Sequence, residues 1–209
     1  MTKKEQNDLL KYEKELYGEG ISLIAGVDEV GRGPLYGPVV CAAVILPKNY
    51  QLDGLTDSKQ ISEKKRDNFF DIIMRDAISV SVAMRSPERI DEINIYAATK
   101  EAMIEAVNNL EVKPEHVLVD AMPLDLDIPT TSIIKGDAKS LSIAAASVIA
   151  KVTRDRMMYE VDQIHPEYNF KNHKGYPTKA HLEAIKKYGL FDGYRKTYGP
   201  VKELLEEVK

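Results

Sequence analysis

Four carboxylates carry the strongest chemical signal in this chain. Asp28 and Glu29 are adjacent inside the apolar run Leu23-Ile-Ala-Gly-Val-Asp-Glu-Val30, a setting that charged side chains avoid unless something holds them there. Asp120 ends the stretch His116-Val-Leu-Val-Asp120, and Asp137 closely follows Ser132-Ile-Ile134. Carboxylate oxygens are ligands of hard divalent cations such as Mg²⁺ and Mn²⁺. Four of them brought together without a cation would repel, and some would be forced to keep a proton. A divalent ion removes that conflict. Two ions roughly 3.5–4 Å apart can activate water and stabilise the leaving oxygen of a phosphodiester. Directly after the first pair comes Gly31-Arg32-Gly33-Pro34. Its glycines let backbone N–H groups approach an anionic or hydroxylated ligand, and its guanidinium suits a phosphate. Taken singly, Asp120 and Asp137 fit a turn or a helix cap as readily as a ligand.

The elements that must position these groups are legible in outline. Each carboxylate lies at or near the C-terminal end of a strand-like run, where open α/β sheets gather their ligands. Strands are expected over 22–30, 39–46, 78–84, 116–119 and 132–134, with the Gly/Pro-rich turn Gly31–Pro38 between the first two. The run Val39-Val-Cys-Ala-Ala-Val-Ile-Leu46 is apolar throughout, as in a strand covered on both faces. Helices are expected over about 2–17, 62–75, 90–110, 141–163, 178–188 and 201–209, with Ser62 and Thr178 as N-caps and Pro200 opening the last. Neighbours on a regular strand face opposite sides, so Asp28 and Glu29 can share a site only if the strand ends there, which Gly31 permits. The pattern is α/β: a mixed β-sheet flanked by helices, with a helical C-terminal extension. It divides into an N-terminal helical extension (1–20), a catalytic domain (21–165) and a helical C-terminal region that contributes to substrate binding (166–209).

Composition narrows the setting. The chain has 209 residues, 44% hydrophobic and 30% charged, enough for one sizeable core. No apolar run reaches the roughly 18–20 residues that span a bilayer, and the polar N-terminus lacks a signal core; the expectation is a cytoplasmic protein. Cys41 is the only cysteine, so no internal disulfide forms. The net charge of −4 argues against a protein that coats nucleic acid by charge alone. Between Lys171 and Lys202, however, Lys171, Lys174, Lys179, Lys186, Lys187, Arg195, Lys196 and Lys202 face only Glu183 and Asp192. That surplus fits a basic substrate groove or a solvated helical face.

Five ordered blocks resemble the ribonuclease HII family: Gly26-Val-Asp-Glu-Val-Gly-Arg-Gly-Pro34, Leu55-Thr-Asp-Ser-Lys59, Val117-Leu-Val-Asp120, Gly136-Asp-Ala-Lys-Ser140 continuing through Ala144–Asp155, and His173-Lys-Gly-Tyr-Pro-Thr178 with His181. The related ribonuclease HIII lacks the Gly-Arg-Gly and carries a substantial extra N-terminal domain, so the resemblance favours ribonuclease HII. It implies a ribonuclease H-like fold and endonucleolytic cleavage of RNA in RNA–DNA hybrids, including single ribonucleotides embedded in duplex DNA; a monomer, which needs no extra surface, is the default expectation. The resemblance also implies that Asp28, Glu29, Asp120 and Asp137 hold Mg²⁺ or Mn²⁺ in a two-metal site. Gly31, Arg32 and Gly33 would read the ribose 2′-OH, the group that separates RNA from DNA, and grip the adjacent phosphate. Tyr176 would stack on the sugar of the following deoxynucleotide. Lys59, Lys139, Lys174 and His173 are expected phosphate or scaffold contacts, and His181 a structural residue.

Two rivals fare worse. Gly31-x-Gly33-x-x-x-Gly37 loosely resembles a dinucleotide loop, but that loop must open a helix, whereas Pro34 and Pro38 here precede a strand-like run. A non-catalytic nucleic-acid binder would explain the basic C-terminal region but gains nothing from four acids where phosphates pass.

Overall fold

The computed structural model describes residues 9–55 and 61–207. Five strands, β1 (Ile24–Val30), β2 (Val39–Ile45), β3 (Ser79–Arg85), β4 (His116–Asp120) and β5 (Thr130–Ile133), form one sheet in the order β3-β2-β1-β4-β5. The β3-β2-β1 half is antiparallel and the β1-β4-β5 half parallel. The described residues also form eight helices: α1 (Lys11–Gly18), α2 (Glu63–Asp76), α3 (Pro87–Ile93), α4 (Ile95–Asn108), α5 (Leu141–Ile164), α6 (Phe170–His173), α7 (Lys179–Tyr188) and α8 (Gly199–Glu207).

Strand periodicity assigns the two faces. Ala25, Val27, Cys41, Ala43, Val117 and Val119 pack with Ala102, Met103 and Ala106 of α4 on one side. Ala42 and Val44 pack on the other with Phe69 and Ile73 of α2 and Ala145, Val148 and Ile149 of α5. All seven residues of β2 are buried, as its unbroken apolar run implies, and Cys41 lies among them. The small residues of α5 let its backbone press onto β1: a Cβ on Gly26 would fall 2.0 Å from the Ser142 carbonyl carbon. A third apolar cluster, with Leu35, Tyr36, Met158, Tyr168, Phe170 and Tyr194, binds the C-terminal helices to the rest.

Several expectations need correction. The single helix expected over 90–110 is two, α3 and α4, because Asn94 adopts φ 70° and its side chain accepts hydrogen bonds from the Tyr96 and Ala97 N–H groups, starting a new helix. Ser62 does precede α2, but its side chain makes no capping bond; Thr178 does cap α7, accepting from His181 N at 3.3 Å. The N-terminal helix starts at Lys11 within the described residues, and residues 1–8 lie outside them. Short turns at Pro166–Tyr168 and α6 were not foreseen.

Candidate active site

The carboxylates of Asp28, Glu29 and Asp120 converge, with one oxygen of each within 4.8 Å of the others. They do so near the end of β1, which runs through Val30 as expected, paired to β2 as far as Val30↔Val40. What ends is the pairing on the other edge, at Val27↔Val119. Asp28 has the parity of Ile24 and Gly26, the α5 side, and Glu29 that of Ala25 and Val27, the α4 side. Beyond the β1–β4 pairing the two side chains can meet around an open strand edge. There the Glu29 N–H donates to Asp28 Oδ1 at 2.7 Å. Asp120 is held from the far side, where Gly136 N–H donates to its Oδ1 at 2.6 Å.

Burial raises the Asp28 carboxyl well above the usual carboxylate range, and the facing Glu29 and Asp120 raise it further; hydrogen bonds from Ser147 and the Glu29 N–H offset only part of this. An all-oxygen donor set whose members repel fits a hard divalent cation. Asp137 is buried in the tight turn Gly136–Ala138, one residue past the N–H that holds Asp120, and outside the 4.8 Å group.

The glycine-arginine-glycine segment begins where β1 ends. Gly31 has φ +93°, and a Cβ there would strike Arg154 Nε at 2.4 Å, so both its conformation and its neighbour require glycine. Gly33 lies against the Tyr176 ring, its Cβ position 3.3 Å from Tyr176 Cε1. Arg32 is 44% exposed, and its Nη1 is 3.5 Å from Glu29 Oε1, which links this loop to the acidic cluster. Two fully buried arginines organise the loop. Arg195 donates to the carbonyls of Gly31 (2.6 Å), Arg32 (3.0 Å) and Gly37 (2.8 and 3.0 Å). Arg154 donates to those of Tyr36 (2.9 Å), Pro38 (3.1 Å) and Lys174 (2.9 Å). Tyr198 hydroxyl adds a bond to the Arg32 carbonyl at 2.6 Å, and Leu35 N–H one to Gly175 O at 2.8 Å. The two loops carrying Gly33 and Tyr176 are thus tied to one frame.

The structure sorts the remaining expected contacts. His173 and His181 stack at 4.2 Å deep under the Tyr176 loop. His173 Nδ1 accepts from Gly175 N–H at 3.1 Å, leaving Nε2 to donate to Tyr168 O at 2.7 Å. Lys174 is buried, with its ammonium over the Tyr159 ring and bonded to the Lys171 carbonyl, so it braces the loop rather than meeting phosphate. Lys139 is exposed, and Lys59 lies outside the described residues. The basic C-terminal surplus shrinks as an outward field. Arg195 and Lys174 point inward, and Lys171, Lys179 and Lys202 lie within 4 Å of Asp162, Glu183 and Glu206. Sequence reasoning missed the buried roles of Arg154 and Arg195. Arg154 stood inside a quoted block and Arg195 in the basic count, and nothing local marks a buried arginine.

A mixed five-stranded sheet with acids converging at the C-terminal ends of a parallel strand pair defines a ribonuclease H fold. The ribonuclease H2 of Pyrococcus horikoshii OT3 superposes with a TM-score of 0.76 at 30% identity, covering 88% of this chain and 97% of its own. The ribonuclease HII in the PCNA complex from Archaeoglobus fulgidus superposes with a TM-score of 0.71 at 26% identity, covering 85% of this chain and 95% of its own. Residues 25–198 match the family model of ribonuclease HII. A ribonuclease HII of Bacillus cytotoxicus is 58% identical over 95% of this chain and 77% of its own length. The chain belongs to the ribonuclease HII family. It is therefore a ribonuclease H, a hydrolase of the class that acts on RNA–DNA hybrids. No helix among the described residues is long and apolar enough to cross a membrane.

Proposed function

We propose that this protein is a monomeric endoribonuclease that cuts RNA in RNA–DNA hybrids and at single ribonucleotides embedded in duplex DNA, leaving 3′-OH and 5′-phosphate ends. The observation that carries this reading is the link between chemistry and recognition: Arg32, in the loop braced against Tyr176, lies 3.5 Å from Glu29 of the acidic cluster. A reader of one sugar hydroxyl is useful to a nuclease only if it stands beside the cutting site.

Asp28, Glu29 and Asp120 form the centre of the ligand set, and Asp137 completes it from the adjoining turn. Mg²⁺ or Mn²⁺ held there, two ions in this reading, supplies charge neutralisation and water activation for phosphodiester hydrolysis. The chain's own contribution is position. The Gly31-Arg32-Gly33 backbone presents N–H groups to the ribose 2′-OH without intervening side chains. Arg32 orients the neighbouring phosphate, as a guanidinium fork does. Tyr176, 39% exposed, offers an apolar ring face to the next sugar, where a 2′-hydroxyl would be a polar intruder.

The test is a DNA duplex bearing one ribonucleotide, incubated with Mg²⁺, Mn²⁺ or chelator, with the cut position mapped. Cleavage on the 5′ side of the ribonucleotide, absent with chelator, is expected. Equal cutting of an all-DNA duplex would defeat the recognition reading. Arg32→Ala is expected to lose roughly 10- to 100-fold on this substrate, the scale of a lost charge-assisted contact; unchanged activity would remove Arg32 from the reader.

A further inference from the structure

The first turn of α5 lies between the N-terminal helix and the acidic cluster. A helix leaves its first N–H groups without intrahelical acceptors. In α5 the first three all find one elsewhere: Leu141 N–H donates to Leu9 O at 2.8 Å, Ser142 N–H to Glu13 Oε1 at 3.0 Å, and Ile143 N–H to Ser140 Oγ at 3.2 Å. Ser140 hydroxyl in turn donates to the same Glu13 Oε1 at 2.6 Å. Two of these acceptors therefore come from α1 and the residues just before it.

Glu13 is 1% exposed, and its other oxygen, Oε2, is buried with no hydrogen-bond partner among the described residues. Burying half of a carboxylate without a partner is costly. Apolar packing also docks α1, with Tyr12, Leu16 and Tyr17 against Ile24, Leu118, Ile133 and Ile143. What Glu13 adds is one acceptor oxygen shared by the Ser142 N–H and the capping serine's hydroxyl at the start of a 24-residue helix. From that serine a short hydrogen-bonded path leads to the site: Ser140 N–H to Gly136 O at 2.8 Å, then Gly136 N–H to Asp120 Oδ1 at 2.6 Å. Asp137 sits inside this path.

We propose that Glu13 is a positioning residue for the acidic site. Through Ser140 and Gly136 the N-terminal helix fixes the turn that orients Asp120 and carries Asp137, and so sets the geometry that receives divalent cations. This rests on the reading above that these acids hold the cations.

Two variants separate position from charge. Glu13→Asp withdraws the carboxylate by one methylene. Glu13→Gln keeps an acceptor at full reach, and the atom it replaces, Oε2, has no partner among the described residues to lose. The Asp variant is expected to lower kcat about tenfold on a ribonucleotide-containing duplex with KM nearly unchanged. It should also raise the Mn²⁺ concentration for half-saturation severalfold, read by calorimetry without substrate. The Gln variant should stay within about twofold of the parent in both. Thermal unfolding fixes an assay temperature at which all three proteins are folded. If the Asp variant there keeps parental Mn²⁺ binding and kcat, the role is merely structural and the proposal fails. It fails equally if the Gln variant is as impaired as the Asp variant. A parent that binds Mn²⁺ yet leaves ribonucleotide-containing duplexes uncut would defeat the proposed function, while the Mn²⁺ contrast between the two variants would still decide the role of Glu13.

Discussion

The acidic cluster and the Gly31–Pro38 loop are chain neighbours built on opposite principles. At the cluster, carboxylates face each other within 4.8 Å, and Asp28 is held in a state that its own charge opposes. In the loop, buried guanidiniums grip one backbone carbonyl after another, and Tyr198 adds its own hydrogen bond. In the proposed function the first region is completed by a cation and gains its role from that deficit. The second is satisfied within the protein, so the glycine N–H groups stay in place before any ligand arrives, which lowers the ordering cost of binding. A metal site tolerates frustration because the ion relieves it. A reader of one hydroxyl must be rigid beforehand.

The sharpest way to break this contrast is Asp120→Asn. The amide keeps an acceptor for the Gly136 N–H but removes one ligand charge, so cleavage should fall about 1,000-fold or more while duplex binding holds or improves. Initial rates beside gel-shift affinities would show it, and a variant that cuts normally would place the chemistry elsewhere. In the loop the corresponding experiment is Arg195→Met. It orphans the carbonyls of Gly31 and Gly37 and leaves that of Arg32 to Tyr198 alone, and should cost about 3–5 kcal/mol, roughly 10 °C in unfolding temperature. A loss below about 1 kcal/mol would mean that the loop is not held this way.

A milder probe of the satisfied region uses pH. His181 Nδ1 donates to Tyr176 O at 2.9 Å, and in the neutral ring Nε2 accepts from Tyr194 hydroxyl at 2.9 Å. Burial pushes its pKa down from 6.5 to about 4, with stacked His173 adding to the depression against the Tyr176 carbonyl. Its neutral form is therefore favoured in the fold. The contribution is complete above pH 6.5 and is lost as pH falls toward 4, because the unfolded chain takes up the proton first. The loss should be on the order of 2 kcal/mol across that window, and His181→Gln should flatten it in denaturant titrations at successive pH values.

What was legible in the sequence follows the same division. The acidic cluster could be found because charge inside an apolar strand is conspicuous, and strand ends are where α/β sheets place ligands. Its geometry could not. Asp28 and Glu29 meet around an edge that β4 leaves open, and strand register is a property of pairing, not of β1 alone. The five-strand α/β plan was readable from apolar runs and turn residues, whereas the break at Asn94 hides inside an unbroken helical pattern. The loop's brace was least legible. Arg195 joins it from the far end of the chain, and an arginine destined for the interior looks in sequence like one destined for phosphate.

The smallest expected effect is also the one that most directly sets the two regions apart, because its sign should reverse. Asp28→Asn keeps an oxygen for the Glu29 N–H but removes a charge that burial, Glu29 and Asp120 all oppose. Without divalent cation at neutral pH, the variant should be more stable than the parent by about 1 kcal/mol, or 2–4 °C. Added Mn²⁺ should raise the parent's unfolding temperature through its binding to the folded state, and the variant's much less. Removing a charged group from the loop brace should lower stability; removing one from the cluster should raise it and, in the proposed function, forfeit the metal. A metal-free Asp28→Asn protein less stable than its parent would mean that the cluster's carboxylates are reconciled by protein contacts alone, and the contrast between the two regions would collapse.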